Sequence, residues 1–288
     1  MTDSADPSTA ATSGTGPSTE PSGDEVRYEV RDGVATLTID RPARRNALSW
    51  DVVAQLRAHV GEAHEDPEVR VLVLTGAGDV AFCAGADLGG MRDEVDPATG
   101  HRPDPVLLHD ARGELAGLFE DLYALGKPTV ARVFGFCLAG GFGLALACDL
   151  VVAAEDAVFG TPEIDVGLWP YMITVPLTRS MPPKRALELM MTGRRLDAAT
   201  AEQWGFVTRV VPVDELDAAV AELAGTLAAK PATAMRLGRD SFYAVWDRSA
   251  SDALALLHPM LGVAADVDDA VEGVAAFMEK RPPSWRRG

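Results

Sequence analysis

The run Gly135-Phe136-Cys137-Leu138-Ala139-Gly140-Gly141-Phe142-Gly143-Leu144-Ala145-Leu146-Ala147-Cys148-Asp149 follows a strand-like segment at 129–134 and opens a helix with almost no bulk at its start. Bare glycines at a helix N-terminus let a ligand oxygen approach exposed peptide N–H groups, where the helix dipole also favours negative charge. That geometry can hold a developing oxyanion. Alone, the glycine pair fits the close packing of a buried helix equally well. A second stretch breaks the tie. Residues 69–75 (VRVLVLT) read as a buried strand and lead through Gly76-Ala77-Gly78-Asp79 into Ala81-Phe82-Cys83-Ala84-Gly85-Ala86-Asp87-Leu88. Two such loops, each following a strand, can supply one N–H apiece to the same oxygen. A carboxylate for proton transfer is offered by Glu163, which follows Pro162 after another short strand-like run. Beside apolar neighbours such as Phe159 and Trp169 its pKa should rise toward the working pH. The competing reading of Glu163 is a solvated loop residue.

These groups need elements to position them. Residues 28–31 and 34–39 read as two strands around Asp32-Gly33, a hairpin turn pair. Ser49 can cap a helix from Trp50 to about His64, with Asp51 in its favourable first turn. Strands at 69–75, 129–134 and 150–154 alternate with helices, which predicts a layered α/β core. Residues 92–105 are polar and proline-bearing, hence a loop, and 106–125 have helical apolar spacing. After Pro182-Pro183 the pattern becomes helical. Residues 213–229 place Val213, Leu216, Val220, Leu223 and Leu227 on one face, and further helices are expected over 231–246, 250–262 and 266–280.

Composition excludes several classes. The 288 residues can bury a large core, and the hydrophobic fraction of 47% is ordinary. Net charge is −17, of which Asp3, Asp6, Glu20 and Asp24 supply about −4 from a stretch, 1–24, that has no Lys or Arg. So acidic a chain argues against nucleic acid or an anionic membrane as partner. Residues 1–24, rich in Ser, Thr, Pro, Gly and Ala, read as a disordered acidic tail and not as a secretion signal. Cys83, Cys137 and Cys148 lack metal-ligand spacing and read as buried free thiols of a reducing cytoplasm. No uninterrupted apolar run reaches membrane-spanning length, so a soluble protein is expected. His59, His64, His101, His109 and His258 form no metal pair or triad. Asp149 is expected to bond a neighbouring backbone, and Asp165 to be structural.

The two glycine-bearing loops together resemble the oxyanion-hole motifs of the crotonase superfamily, the enoyl-CoA hydratase/isomerase family. The resemblance runs from about Val26 to Arg281. It includes Arg41-Pro42-Ala43-Arg44-Arg45-Asn46-Ala47-Leu48, Phe159-Gly160-Thr161-Pro162-Glu163, the 189–201 run LMMTGRRLDAATA and Phe277-Met278-Glu279-Lys280-Arg281. It implies an α/β fold, a crotonase-like spiral of ββα units over 25–195, with a helical C-terminal region over 196–288 that forms trimers, often paired into hexamers. It implies that the peptide N–H groups of Ala86 and Gly140 polarise the thioester carbonyl of an acyl-CoA, with Glu163 as acid/base. Arg45 and Ala47 match the segment that cradles the nucleotide end of CoA. Ala84, Ala86, Asp87 and Leu88 match the adenine wall, Gly141 adjoins the oxyanion glycine, and Phe277 and Lys280 match residues that reach a neighbouring subunit's CoA phosphate. Coenzyme A enters only as part of the substrate, with no permanently bound cofactor and no metal.

The chain also departs from the family's two-glutamate hydratases. They carry a second glutamate three residues after the oxyanion glycine, where this chain has Gly143. With one carboxylate, either Glu163 handles both protons of a hydration or the reaction needs a single shuttle, as in Δ3–Δ2 double-bond isomerisation. Hydration or dehydration of an enoyl-CoA is placed first and isomerisation second; decarboxylation or hydrolysis is a smaller possibility. A non-catalytic CoA-thioester-binding protein is the reading from another class. Residues 167–173 (GLWPYMI) are bulkier than the glycine-rich stretch common there and should reshape the acyl pocket, with Trp169 and Tyr171 as candidate substrate contacts and ordinary packing as the alternative for Tyr171.

Overall fold

A computed structural model describes residues 23–87 and 105–285. Leu88, almost all of the expected tail at 1–24 and nearly all of the expected loop at 92–105 lie outside the described residues. Strands β1 (Val26–Arg31) and β2 (Val34–Ile39) form the expected hairpin, with Arg31 opposite Val34. Asp32 and Gly33 have φ of 51° and 78°, the left-handed pair that a two-residue turn matching strand twist requires. Helix α1 (Trp50–Glu65) begins where expected, because the Ser49 hydroxyl accepts from the Val52 N–H.

From there the chain alternates between two sheets. Strands β3 (Val71–Gly76), β5 (Thr129–Val133) and β7 (Leu150–Ala154) join β1 and β2 in a large sheet, which β10 (Arg209–Val211) completes. Each is followed by a short strand, β4 (Ala81–Cys83), β6 (Phe136–Leu138) and β8 (Val158–Gly160), in a smaller sheet closed by β9 (Arg195–Asp197). Helices α2 (Pro105–Ala124) and α3 (Gly140–Ala147) follow β4 and β6, so strand–strand–helix units wind into a spiral. Pro105 opens α2 instead of ending a loop, a position where a missing N–H costs nothing.

The central large-sheet strands β3, β5 and β7 are largely apolar on both faces because both are covered. Leu72, Leu74, Ala131, Val133, Val151 and Ala153 point into the main core, while their neighbours Val71, Val73, Val130, Val152 and Ala154 face a second cluster. That cluster is covered by α7 (Leu216–Ala228) through Leu216, Ala219, Val220 and Ala224. Val213, expected on this face, is 51% exposed in a 3-10 turn before the helix.

The region after Pro182-Pro183 is not wholly helical. Helices α4 (Thr174–Ser180) and α5 (Pro183–Thr192) are followed by β9, by α6 (Ala198–Gln203) and by β10. Both strands are only three residues long, too short for alternation to stand out, and edge pairing with β8 and β7 makes them strands. The chain ends in α8 (Ala232–Val245), α9 (Ala250–Ala265) and α10 (Asp268–Glu279), as its spacing predicts.

Candidate active site

The candidate residues gather at the C-terminal ends of three parallel strands. In the small sheet Cys83 lies opposite Cys137, and Leu138 opposite Gly160. One step beyond this register the strands are still joined, since the Ala139 N–H donates to the Gly160 carbonyl at 2.9 Å. A Cβ built on Gly85 would stand 2.6 Å from the Ala139 methyl, so the first loop rests directly on the second. Ala86, Gly140 and Thr161 each follow a member of this contiguous set, 85, 139 and 160. The mouths of parallel strands are where α/β sheets bind ligands, because the chain leaves the ladder there with peptide groups unspent.

Ala86 is held in an extended bridge to Leu48. The Leu48 N–H donates to the Gly85 carbonyl (2.8 Å) and the Asp87 N–H to the Leu48 carbonyl (2.9 Å), which turns the Ala86 N–H to the opposite side. Gly140 is the first residue of α3, where an N–H has no intrahelical acceptor. Among the described residues neither N–H meets an acceptor. Ala139, just before it, has φ 51° and ψ −130°, a strained conformation for a residue with a side chain. Its bonds to Gly160 and from the Gly143 N–H (3.1 Å) hold it there. Gly141 is buried, and a Cβ on it would meet the Cys83 carbonyl at 2.5 Å and the Cys83 sulfur at 2.6 Å. It welds the two loops together.

Glu163 sits in a 3-10 turn, Pro162–Val166, that starts on Pro162 and ends at Gly167 with left-handed φ. It is half-buried, and its Oε2 is cut off from solvent with no hydrogen-bond partner among the described residues. Burial lifts its carboxyl above the ordinary glutamate range, only partly opposed by a backbone hydrogen bond. Phe159 packs edge-to-face and tilted with Phe206 and Phe142 in the core, and Trp169 packs half-buried against that core.

At Gly143 there is no room for a second carboxylate. A Cβ there would stand 2.3 Å from Ile173 Cγ2 and 3.1 Å from Phe119 Cζ. Hydrocarbon occupies that place, and Ile173 comes from the 167–173 segment whose bulk sets it apart.

The sequence reading passed over two residues that hold the first loop. Asn46 is fully buried with φ 55°; its amide donates to the Ala77 and Ala81 carbonyls at 2.9 and 2.7 Å, and its oxygen accepts from the Arg41 N–H. Arg41 pairs with Glu25 (2.8 Å) and Asp87 (2.9 Å) and donates to the Ala47 carbonyl (2.6 Å). Both lie inside the Arg41–Leu48 motif, yet a polar pattern alone does not separate buried organisers from surface charge. The Asp87 carboxylate, a candidate for the adenine wall, is thus engaged by Arg41. The Ala84 N–H donates to the Arg45 carbonyl, and the exposed Arg45 guanidinium lies 5.8 Å from the Phe136 ring centroid. Tyr171 is 78% exposed and Phe277 81%, and Lys280 ends α10 in a left-handed cap. The structure therefore brings Ala84, Ala86, Asp87, Arg45, Ala47, Gly140 and Gly141 to one set of loops, whereas Phe277 and Lys280 stand on the outer surface of the last helix. A cavity of about 520 Å³ lies elsewhere, between α8 and the core, lined by Asp149, Arg179, Arg239 and Trp246 among others and by none of these residues.

Two peptide N–H groups that meet no acceptor, on the same sheet edge as a half-buried carboxylate, are the parts that an oxyanion-stabilising α/β enzyme would need. The comparisons narrow this class. Residues 29–288 match the family model described as enoyl-CoA hydratase/isomerase. A probable enoyl-CoA hydratase of Mycobacterium tuberculosis is 35% identical over 254 residues, 88% of this chain and 94% of that protein. The carnitinyl-CoA dehydratase of Proteus mirabilis is 34% identical over 268 residues, 91% and 98% of the two chains. The crystal structure of an enoyl-CoA hydratase from Mycobacterium smegmatis superposes with a TM-score of 0.84 at 34% identity, covering 91% of this chain and 98% of that one. The chain belongs to the enoyl-CoA hydratase/isomerase, or crotonase, family and has its α/β fold.

Proposed function

We propose that this protein is an enoyl-CoA hydratase that adds water to an enoyl thioester, or removes it, through an enolate held by two peptide donors. The observation that carries the reading is the Oε2 of Glu163, sequestered and without a partner among the described residues, on the same sheet edge as the spare N–H groups of Ala86 and Gly140. In this reading the thioester oxygen rests on those two N–H groups. When water oxygen bonds to Cβ, the Cα=Cβ electron pair moves to Cα and the carbonyl oxygen takes the negative charge. Donors fixed there stabilise that charge more than the neutral carbonyl, and each is worth roughly 3 kcal/mol of barrier. Glu163 takes the proton from water and returns it to Cα, so one carboxylate serves both transfers. Several relatives are named as hydratases or dehydratases of CoA thioesters, which favours this chemistry.

The apolar filling beside Gly143 favours a second reading, Δ3–Δ2 enoyl-CoA isomerisation, in which one base moves a proton from Cα to Cγ. The test is a panel of 2-enoyl-, 3-enoyl- and branched enoyl-CoA thioesters, with Glu163→Gln as control. Hydration of the 2-enoyl members, reduced at least 100-fold in Glu163→Gln, is the expected result. Turnover of the 3-enoyl member alone selects isomerisation, and binding without turnover of any member selects a CoA-thioester-binding protein.

In this reading CoA enters as part of the substrate, with no resident cofactor. Arg45 and Ala47 cradle its nucleotide end, and Ala84, Ala86, Asp87 and Leu88 wall the adenine. Gly141 supports the oxyanion turn, Trp169 and Tyr171 border the acyl group, and Phe277 and Lys280 of a neighbouring subunit reach the CoA phosphate. The helices after 196 assemble the trimer or dimer of trimers, and the cytoplasm is the compartment. Among the described residues no helix is long and apolar enough to cross a membrane.

A further inference from the structure

Two residues before Glu163, Thr161 is fully buried, and its Oγ1 also has no hydrogen-bond partner among the described residues. Threonine at this point usually caps the turn that follows, but here its side chain makes no cap bond. A buried hydroxyl without a partner is costly, and valine has the same shape without that cost, so a hydroxyl here calls for an explanation. Among the described residues no backbone group meets it, and the 3-10 turn begins on Pro162, which has no N–H to offer. Thr161 Oγ1 and Glu163 Oε2 are thus two sequestered oxygens two residues apart, where the chain leaves β8.

We propose that Thr161 Oγ1 and Glu163 Oε2 together hold the water molecule that is added to the substrate. The inference rests on the hydratase reading. Water directs one hydrogen to each oxygen and keeps a lone pair for Cβ. As its oxygen bonds to Cβ, the O–H bond toward Glu163 breaks, the proton passes to Oε2, and the Cα=Cβ pair shifts to Cα with charge on the thioester oxygen. Glu163 then gives the proton to Cα, which completes the addition of H and OH. Where Ile173 and Phe119 fill the space at Gly143, Thr161 provides the second contact that orients the water.

The experiment pairs Thr161→Val with Thr161→Ser. High-resolution crystal structures of the wild type and Thr161→Val should show a water within hydrogen-bond distance of both oxygens in the first and none in the second. In steady-state hydration of a 2-enoyl-CoA, Thr161→Val should lose roughly 100-fold in kcat with KM nearly unchanged, and Thr161→Ser should recover most of it. Hydration by Thr161→Val at the wild-type rate, or equal losses in both variants, overturns the water site while the hydratase reading stands. A shared water in a wild type that hydrates no thioester sinks the hydratase reading and, with it, the water's role as substrate. No water on the two oxygens in the wild type overturns the proposal outright.

Discussion

Glu163 combines two properties that work against each other, ionisation and burial. Because burial lifts its pKa, the folded chain keeps this proton to a higher pH than the unfolded chain does. Stability attributable to this residue is therefore full below the unfolded value and falls as pH rises through the folded one. Glu163→Gln should melt above the wild type at pH 7 and lose that advantage near pH 4, where both states are protonated; differential scanning calorimetry across this range checks it. Activity has the opposite sign. If the carboxylate is the base, kcat/KM falls as pH drops through the raised value, above the range of an exposed glutamate. Gly143 allows a second expectation at this scale. Gly143→Glu forces a side chain into Ile173 and Phe119 and should cost 1–3 kcal/mol or more in urea denaturation. A variant that folds at full stability would show that the hydrocarbon filling yields easily.

At the scale of elements, the site depends on strands ending together. β4, β6 and β8 are three residues each, and none would persist alone. They are held by their register with one another and by the large sheet behind them. The last helices are fastened differently. Arg239 of α8 is almost fully buried, donates to Asp149 at 2.8 Å and to the Leu122 and Tyr123 carbonyls, and Tyr243 donates to the other Asp149 oxygen. Asp149 also accepts from the Thr129 N–H, the backbone contact its position suggested. Removing the carboxylate leaves the guanidinium buried without its counter-charge, so Asp149→Ala should destabilise the protein by about 3 kcal/mol. Faster proteolysis within α8–α10 should accompany the loss. An unchanged denaturation midpoint would show that the carbonyls alone suffice for Arg239.

Over the whole molecule, an acidic chain carries an apolar outer surface on its last helices. Among the described residues α9 has no buried one, and Leu254, Leu261, Val271, Val274, Phe277 and Met278 all stand more than 60% exposed. So much apolar area on adjoining helices is the kind of surface that association would cover, and the proposed trimer is tested there. Sedimentation equilibrium should give a mass near three copies or a multiple of three, and Val274→Asp should shift it toward one. A wild type that sediments as a single copy at micromolar concentration contradicts the trimer.

Glycines after strands, a serine before a helix and an Asp-Gly turn act through local backbone geometry, so the two glycine-bearing loops after their strands, α1 and the β1–β2 hairpin were legible from residue order. So was the family, because its motifs occur in order along one chain. Contacts between distant segments were not legible. Whether Glu163 is buried, whether Thr161 lacks a partner, whether Gly143 leaves room and what Arg41 and Asn46 hold all depend on side chains brought together from far along the chain. β9 and β10 belong with these, since three residues carry no period and only a neighbouring strand makes them part of a sheet. Local propensity is written residue by residue, but desolvation is a property of the surroundings, and only the folded chain determines those.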